Sequence, residues 1–248
     1  MRQLGALLLL LALALPARAA DVSGLDWEQR LGAQLPMDAP LVDASGGATT
    51  LREVAGGRPL ILAPGYFKCP NLCGVIRDDL FAALAASGLR PGSDYRAALL
   101  TIDKSETPAD ARTAQQSVLD RYPGAAFAAL TGPASSLADI AGAAGFPARY
   151  DEAAKQFLHP AGVVIATPSG AVSSYLMGVG YSAADIAAAV ASAGAGTFRR
   201  AEPIHLFCFS YDPTTGRFTA SVMEALRLAA VATVLAIGAT LLVLGRRA

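Results

Sequence analysis

The sequence predicts an α/β fold in which a mixed sheet carries helices on both faces, followed by a C-terminal transmembrane helix. Short apolar runs suited to buried strands alternate with helix-forming segments along most of the chain. Two apolar runs in the region 162–176 flank a turn and predict an antiparallel hairpin. Residues 228–244 contain no charged side chain. With 53% hydrophobic residues, the composition excludes a chain that is disordered throughout.

Residues 1–20 have the features of a secretory signal peptide. Arg2 precedes an apolar run, and Ala17-Arg18-Ala19 provides a cleavage site of small residues. This segment predicts that the protein is exported and that the mature chain begins near Asp21.

At the other end, residues 227–245 predict a transmembrane helix with a cytoplasmic tail at 246–248. Arg246 and Arg247 suit the cytoplasmic side of a membrane. A buried core helix is the alternative, but this segment has no polar face. Together the two ends predict a bacterial inner-membrane protein that is anchored at its C-terminus, with its main domain in the periplasm.

The first buried strand follows a lead-in at 21–58, in which residues 51–54 suggest a short turn of helix. The strand covers residues 59–63 and ends at Pro64-Gly65. A helix over 73–87 follows, and Gly88 is its C-terminal stop. The apolar side of this helix consists of Val75, Ile76, Leu80 and Leu84.

Two further strand and helix pairs come next. A strand at 95–103 precedes a helix that Thr107 caps, with Pro108 in its first position and a C-terminal end near Arg121. A short strand at 125–130 then precedes a helix at 135–144.

The last elements are a hairpin and a helix. Strands at 162–167 and 171–176 form the hairpin, and Ser182 caps a helix that ends near Ala193. Parallel strands alternating with helices, followed by this hairpin and helix, match a thioredoxin-like layout. We therefore predict a thioredoxin-like domain at 21–198 and a juxtamembrane segment at 199–226.

The strand-to-helix loop carries Cys69 and Cys73 in the sequence Cys-Pro-Asn-Leu-Cys. On a helix, positions i and i+4 share a face, so both thiols could point to one place at the exposed helix end. A helix N-terminus favours the thiolate form. Two uses stay open, a redox pair and a soft ligand pair for Cu(I). The alternative without a chemical function is a structural disulfide or a pair of buried cysteines. A structural zinc site is disfavoured, because the chain has no second cysteine pair to complete four ligands.

His159 is the candidate for a third copper ligand. The chain has only two histidines, and His159 lies in the turn before the hairpin. In a thioredoxin-like sheet, this turn lies beside the loop that follows the first buried strand. A lone histidine more often has a structural role, so this expectation depends on the predicted fold.

These motifs together resemble the Sco/SenC family of membrane-anchored, thioredoxin-like copper chaperones. The resemblance covers residues 40–193, and the matching motifs are Gly65-Tyr66-x-x-Cys69-Pro70-x-x-Cys73, Thr101-Ile102-Asp103 before Thr107-Pro108, and His159 before Gly162-Val163-Val164-Ile165. The chain differs in that its anchor is C-terminal and that its stretch from Asp103 to Pro108 is one residue shorter.

The resemblance implies that Cys69, Cys73 and His159 bind copper as Cu(I) or Cu(II). It implies delivery of copper to the binuclear centre of cytochrome c oxidase, or reduction of the thiols of that centre. The partner would be the copper-bearing oxidase subunit or another exported copper protein. Asp103 matches a family aspartate that could assist partner contact, and its alternative role is a polar strand end.

A periplasmic thiol-disulfide oxidoreductase or peroxidase-like enzyme that uses Cys69 and Cys73 is the alternative function. A metallochaperone would not be a conventional enzyme. His205 and Cys208 suggest either an accessory copper site or a packed aromatic segment. The chain has equal numbers of basic and acidic residues and no basic stripe, which excludes a nucleic-acid partner.

Overall fold

A computed structural model describes residues 23–70, 72–152, 155–202, 228–235 and 237–238. The chain divides into two compact units. One covers residues 22–209, and the other combines residues 1–21 with 210–248. The predicted signal peptide lies outside the described residues, and the proposed boundaries at 21–198 and 199–226 stay predictions.

The larger unit is built on a seven-stranded mixed sheet with the strand order β2-β1-β5-β4-β3-β8-β9. Its strands are β1 Leu41–Asp43, β2 Ala48–Thr49, β3 Leu60–Gly65, β4 Arg96–Thr101, β5 Phe127–Thr131, β8 Gly162–Ala166 and β9 Val172–Met177. The three central strands β3, β4 and β5 are parallel, and the other pairs are antiparallel. The predicted mixed sheet is confirmed.

Five helices pack on the sheet. They are α1 Leu51–Ala55, α2 Cys73–Ala86, α3 Pro108–Arg121, α4 Ala134–Ala143 and α5 Ala183–Gly194. One core cluster joins one sheet face to α2, α3 and α5, and a second cluster joins the other face to α1 and α4. Alternate strand residues supply the two clusters; in β3, Ile61 belongs to the first and Leu62 to the second. The helices therefore cover both faces, as predicted.

Local sequence signals set several helix ends. The Thr107 hydroxyl accepts a hydrogen bond from the Asp110 amide, and the Asp110 carboxylate accepts one from the Thr107 amide, so α3 begins with a capping box. Gly88 follows α2 with φ at 74°, a conformation that favours glycine. Val75 departs from the prediction, because 45% of its surface is exposed while Ile76 and Leu80 are buried.

A two-stranded sheet was not predicted. It pairs β6 Arg149–Asp151 with β7 Gln156–Leu158 in antiparallel register. Three-residue strands of mixed polarity carry no clear periodic signal, which explains why the sequence did not reveal them. This small sheet matters for the site, because its second strand ends directly before His159.

In the smaller unit, residues 228–235 and 237–238 are helical and exposed. Across the described part of the chain, no helix combines the length and apolar content needed to span a bilayer. The predicted transmembrane helix at 227–245 is thus described only in part.

Candidate metal centre

The centre forms where the carboxyl end of β3 meets the amino end of β8. Because β8 is antiparallel to β3, with Leu62 opposite Val164, the start of β8 lies beside the end of β3. The loop after β3 carries Cys69, and His159 comes three residues before β8 begins. The order of strands in the sheet therefore places the histidine segment next to the cysteine loop.

Cys73 and His159 are in contact. The Sγ atom of Cys73 lies 3.4 Å from Nε2 of His159. Cys73 is the first residue of α2 and is 5% exposed, and His159 is 1% exposed. A sulfur donor and an imidazole donor therefore face each other inside the protein, which is an arrangement that suits a soft metal ion or thiol chemistry.

The imidazole ring of His159 is oriented by its other nitrogen. Nδ1 lies 2.9 Å from the carbonyl oxygen of Pro160. A carbonyl oxygen can only accept a hydrogen bond, so Nδ1 carries the proton and donates it. In the neutral ring, Nε2 then presents its lone pair to Cys73. Metal-binding histidines are commonly fixed in this way by a partner of the second nitrogen.

The charge state of His159 reflects two opposing effects. Burial of the ring disfavours the charged imidazolium and lowers the pKa. The hydrogen bond and the charge of Cys73 act in the opposite direction and outweigh burial, so the pKa of His159 lies above its ordinary value. The Pro160 carbonyl and the charge of Cys69 contribute in the same direction. His159 is therefore electrostatically coupled to both cysteines of the loop.

Aromatic side chains enclose the imidazole ring. The centroids of Phe146 and Tyr66 lie 5.1 and 6.1 Å from that of His159. Phe157 of β7 packs on Tyr66 at 5.5 Å, and Tyr150 of β6 packs on Phe157 at 5.1 Å. The small sheet thus holds an aromatic layer against the loop after β3, and this layer keeps the His159 side of the centre away from water.

Two expectations about the cysteines are wrong. Cys69 and Cys73 do not share a helix face, because α2 begins only at Cys73. Pro70 follows Cys69, and the residue before a proline is disfavoured in helical conformation. The helix end is also not exposed at Cys73, which is buried, whereas Cys69 is half-buried. No disulfide joins the two residues.

The three predicted ligands are not gathered in one cluster. Among the residues that the structure describes, no three His, Cys, Asp or Glu side chains lie close enough together to hold a metal ion. Cys73 and His159 are adjacent, and Cys69 belongs to the neighbouring loop. The assignment of all three residues as ligands therefore stays a prediction. His205 and Cys208 lie outside the described residues.

Sequence reasoning missed Glu106, which is 6% exposed. Its carboxylate accepts hydrogen bonds from the backbone amides of Phe67 and Lys68, immediately before Cys69. Asp103, which by the resemblance could assist partner contact, accepts a hydrogen bond from the Ser105 amide within its own turn. The one available signal was that Glu106 stands in a short polar connection after a buried strand.

The SCO1/SenC family model matches residues 29–194. A protein of Aquifex aeolicus VF5 is 26% identical, with a TM-score of 0.60 and coverage of 66% of this chain and 95% of that chain. ScoI of Arabidopsis thaliana, solved with copper bound, is 16% identical, with a TM-score of 0.51 and coverage of 66% and 97%. BsSco, from the Sco family of cytochrome c oxidase assembly proteins, is 18% identical, with a TM-score of 0.52 and coverage of 68% and 97%. The latter two similarities show the fold alone. No curated protein matches the chain.

Proposed function

The chain belongs to the SCO1/SenC family, and on that premise we propose that it binds copper and serves in the assembly of cytochrome c oxidase. One observation carries the proposal: Sγ of Cys73 faces Nε2 of His159 at 3.4 Å, and Nδ1 of the ring is held by Pro160. Cys69 on the adjoining loop supplies the third ligand. Two thiolates and one imidazole are donors that copper accepts in both oxidation states.

The distance between the two donors fits a shared metal ion. Metal bonds to sulfur and to imidazole nitrogen are about 2.3 and about 2.0 Å long in zinc proteins. Two donors with bonds of that length can share one ion when they lie less than about 4.3 Å apart, and Sγ of Cys73 lies 3.4 Å from Nε2 of His159. Cys73 and His159 would hold one ion between them, and Cys69 would complete the site by a movement of the loop.

Copper is the cargo of this site, and the exposure of the ligands suggests how it is passed on. Cys73 and His159 are 5% and 1% exposed, whereas Cys69 is half-buried. A thiolate of the receiving protein therefore approaches from the side of Cys69, and Cys69 is the first ligand to be exchanged. Cys73 and His159 hold the ion until the new bond has formed.

The proposed setting is the periplasmic face of a bacterial inner membrane. Residues 1–20 direct export, and residues 227–245 anchor the chain. The client is the copper-bearing subunit of cytochrome c oxidase or another exported copper protein. The chain delivers copper to the binuclear site of the oxidase or keeps the thiols of that site reduced.

Copper stoichiometry tests the proposal. The full-length protein is purified in detergent, reduced and loaded with Cu(I), beside the Cys69→Ser/Cys73→Ser variant. Cys208→Ser is the matched control, because it removes the third cysteine of the chain. We expect one copper ion per chain in the wild type and in the control, and none in the double variant. Equal copper retention in the double variant would contradict the proposal.

A thiol-disulfide oxidoreductase is the second candidate. It is favoured by the contact between Sγ of Cys73 and Nε2 of His159, because a histidine beside a cysteine is typical of reactive thiols. In this function one thiolate attacks a disulfide of the substrate, and the other displaces it, so the pair becomes a disulfide while the substrate gains two thiols. A wild-type protein that retains no copper but readily reduces a disulfide substrate would support this candidate.

A further inference from the structure

Glu106 is a buried acidic residue to which the proposed transfer of copper assigns no role. It lies in the connection between β4 and α3. Its Oε2 atom accepts hydrogen bonds from the Phe67 amide at 2.8 Å and from the Thr101 hydroxyl at 2.6 Å. Its Oε1 atom accepts one from the Lys68 amide at 2.6 Å. The carboxylate thus binds two successive backbone amides of the loop that carries Cys69.

These contacts explain how the protein accommodates a carboxylate with so little exposure. Burial of a charged group without partners is strongly unfavourable. Three short hydrogen bonds satisfy both oxygens of Glu106, and hydrogen bonds to a charged acceptor are stronger than neutral ones. Thr101 is fully buried at the end of β4, so it fixes the carboxylate to the sheet. The loop is therefore attached to the sheet through Glu106.

The other attachments of this segment differ from that of Glu106. Gly65, at the end of β3, accepts a hydrogen bond from the Ile102 amide at 2.7 Å, which continues the pairing of β3 with β4. The Lys68 ammonium lies 3.3 Å from the Asp110 carboxylate, but the lysine side chain is 55% exposed, and exposed ion pairs contribute little. Between Gly65 and Cys69, Glu106 thus provides a buried polar attachment to two successive amides.

We propose that Glu106 is a positioning residue of the copper site, because its carboxylate holds the amides of Phe67 and Lys68 and thereby sets where Cys69 lies relative to Cys73 and His159. The inference rests on the proposed function. Cys73 and His159 are fixed by α2 and by the Pro160 carbonyl, whereas Cys69 directly follows the segment that Glu106 holds. Loss of the carboxylate would release the third ligand and leave the other two in place.

The chemistry of the carboxylate selects the test variant. Glu106→Gln keeps the size of the side chain but replaces one acceptor oxygen with an NH2 group. That group would face either the Phe67 amide or the Lys68 amide, and two donors cannot bond to each other. Glu106→Asp keeps the charge and shortens the side chain by one methylene. Asp103→Asn is the matched control, since the Asp103 carboxylate accepts a hydrogen bond from the Ser105 amide of the same connection.

Copper binding gives the first readout. In the full-length protein, Glu106→Gln is expected to lower Cu(I) affinity by about tenfold or more, a usual effect of a residue that supports a metal ligand. The thiolate-to-Cu(II) absorption band should also change, which a loss of general stability would not cause. Asp103→Asn should match the wild type, and Glu106→Asp should lie nearer to the wild type than Glu106→Gln. Wild-type affinity and an unaltered band in Glu106→Gln would overturn the inference.

A metal-free readout separates this inference from the proposed function. Hydrogen exchange at the amides of Phe67 and Lys68 should be faster by about tenfold in Glu106→Gln, because each amide loses a charged acceptor. Unchanged exchange at both amides would overturn the inference even if copper binding fell. If the wild type binds no copper, the proposed function fails, and the exchange rates alone decide whether Glu106 positions the loop.

Thr101→Val covers the case in which Glu106→Gln does not fold. Valine has nearly the shape of threonine and removes the hydroxyl that donates to Oε2 of Glu106 and accepts a hydrogen bond from the Asp103 amide. This variant should show changes in copper affinity and amide exchange in the same direction as Glu106→Gln, but smaller in magnitude. The absence of both changes in a folded Thr101→Val protein would count against the inference.

Discussion

The Sγ atom of Cys73 lies 3.4 Å from Nε2 of His159, although 86 positions separate the two residues in the chain. The antiparallel pairing of β8 with β3 produces this contact, since it places the segment before β8 beside the loop after β3. The contact is buried, and Nδ1 of the His159 ring is hydrogen-bonded to the Pro160 carbonyl oxygen. The proposed copper site depends on this pair.

Replacement of His159 distinguishes the two candidate functions. We expect His159→Ala to lower Cu(I) affinity by more than about tenfold, because it removes a ligand rather than a supporting group. Disulfide exchange by Cys69 and Cys73 should become slower but persist, because His159 contacts Sγ of Cys73 and is not itself a reactant in the exchange. Affinity is measured by competition with a Cu(I) chelator. His205→Ala, which alters the other histidine of the chain, is the control. Retained affinity in His159→Ala would exclude this residue as a ligand.

The two cysteines should differ in their reaction with an alkylating reagent. Cys69 is half-buried and Cys73 is 5% exposed, so we expect iodoacetamide to modify Cys69 first in the reduced, copper-free protein. Peptide mapping by mass spectrometry over a time course measures both rates. Faster modification of Cys73 would show that contact with His159 activates that thiol, and it would favour the thiol-disulfide oxidoreductase.

Gly162 is the first residue of β8, three positions after His159, and it is closely packed. Its φ is 143°, and an added Cβ would lie 2.7 Å from the Leu176 carbonyl oxygen and 2.9 Å from Nε1 of Trp27. We expect Gly162→Ala to lower the free energy of unfolding by at least about 2 kcal/mol, because backbone strain and overpacking add together. Urea denaturation followed by the fluorescence of Trp27, the only tryptophan of the chain, measures the change.

Gly124→Ala is the control for that measurement. An added Cβ at Gly124 meets no atom within 4 Å. The free energy of unfolding of the Gly124→Ala protein should stay within about 0.5 kcal/mol of that of the wild type. Equal stability of the Gly162→Ala and Gly124→Ala proteins would show that the start of β8 is not as tightly packed as described.

Asp110 should make a stability contribution that depends on pH. Hydrogen bonds from Thr107 and the nearby Lys68 ammonium hold the pKa of Asp110 below its ordinary value of 3.8. A lowered pKa in the folded state stabilises the protein above that ordinary value, and the contribution is lost as the pH falls through the folded pKa. Asp110→Asn should therefore reduce the free energy of unfolding at pH 7 by up to about 1 kcal/mol.

The difference between Asp110→Asn and the wild type should shrink as the pH falls through the lowered pKa of Asp110, because the carboxylate then becomes protonated. Asp120→Asn, near the C-terminal end of the same helix, is the control and should not destabilise the protein. Urea denaturation at a series of pH values from 7 downwards measures both variants. A difference that stays equally large down to the lowest pH at which the protein folds would show that charge is not the cause.

Much of the fold could be predicted because its signals are local. The Thr107 and Asp110 pair marks the start of α3, and Gly88 marks the end of α2. Proximity of His159 to the cysteine loop followed from the predicted order of elements. The short strands β6 and β7 were missed, because three-residue strands of mixed polarity show no periodic pattern.

The burial of Cys73 and the role of Glu106 could not be predicted from local sequence. Asp103 and Glu106 lie in the same polar connection, and the local sequence does not indicate which of the two carboxylates is buried. The outcome depends on the amides of Phe67 and Lys68, which are 39 and 38 positions away from Glu106. Likewise, Cys73 is buried beside His159, a contact that only the folded sheet creates.

X-ray absorption at the copper edge tests the proposed ligand set most directly. The full-length protein is loaded with one equivalent of Cu(I), and the ligands around the metal are counted. We predict two sulfur atoms and one imidazole nitrogen, with loss of the nitrogen contribution in His159→Ala. A copper environment without sulfur, or one that is identical in the wild type and in His159→Ala, would contradict the proposed copper site.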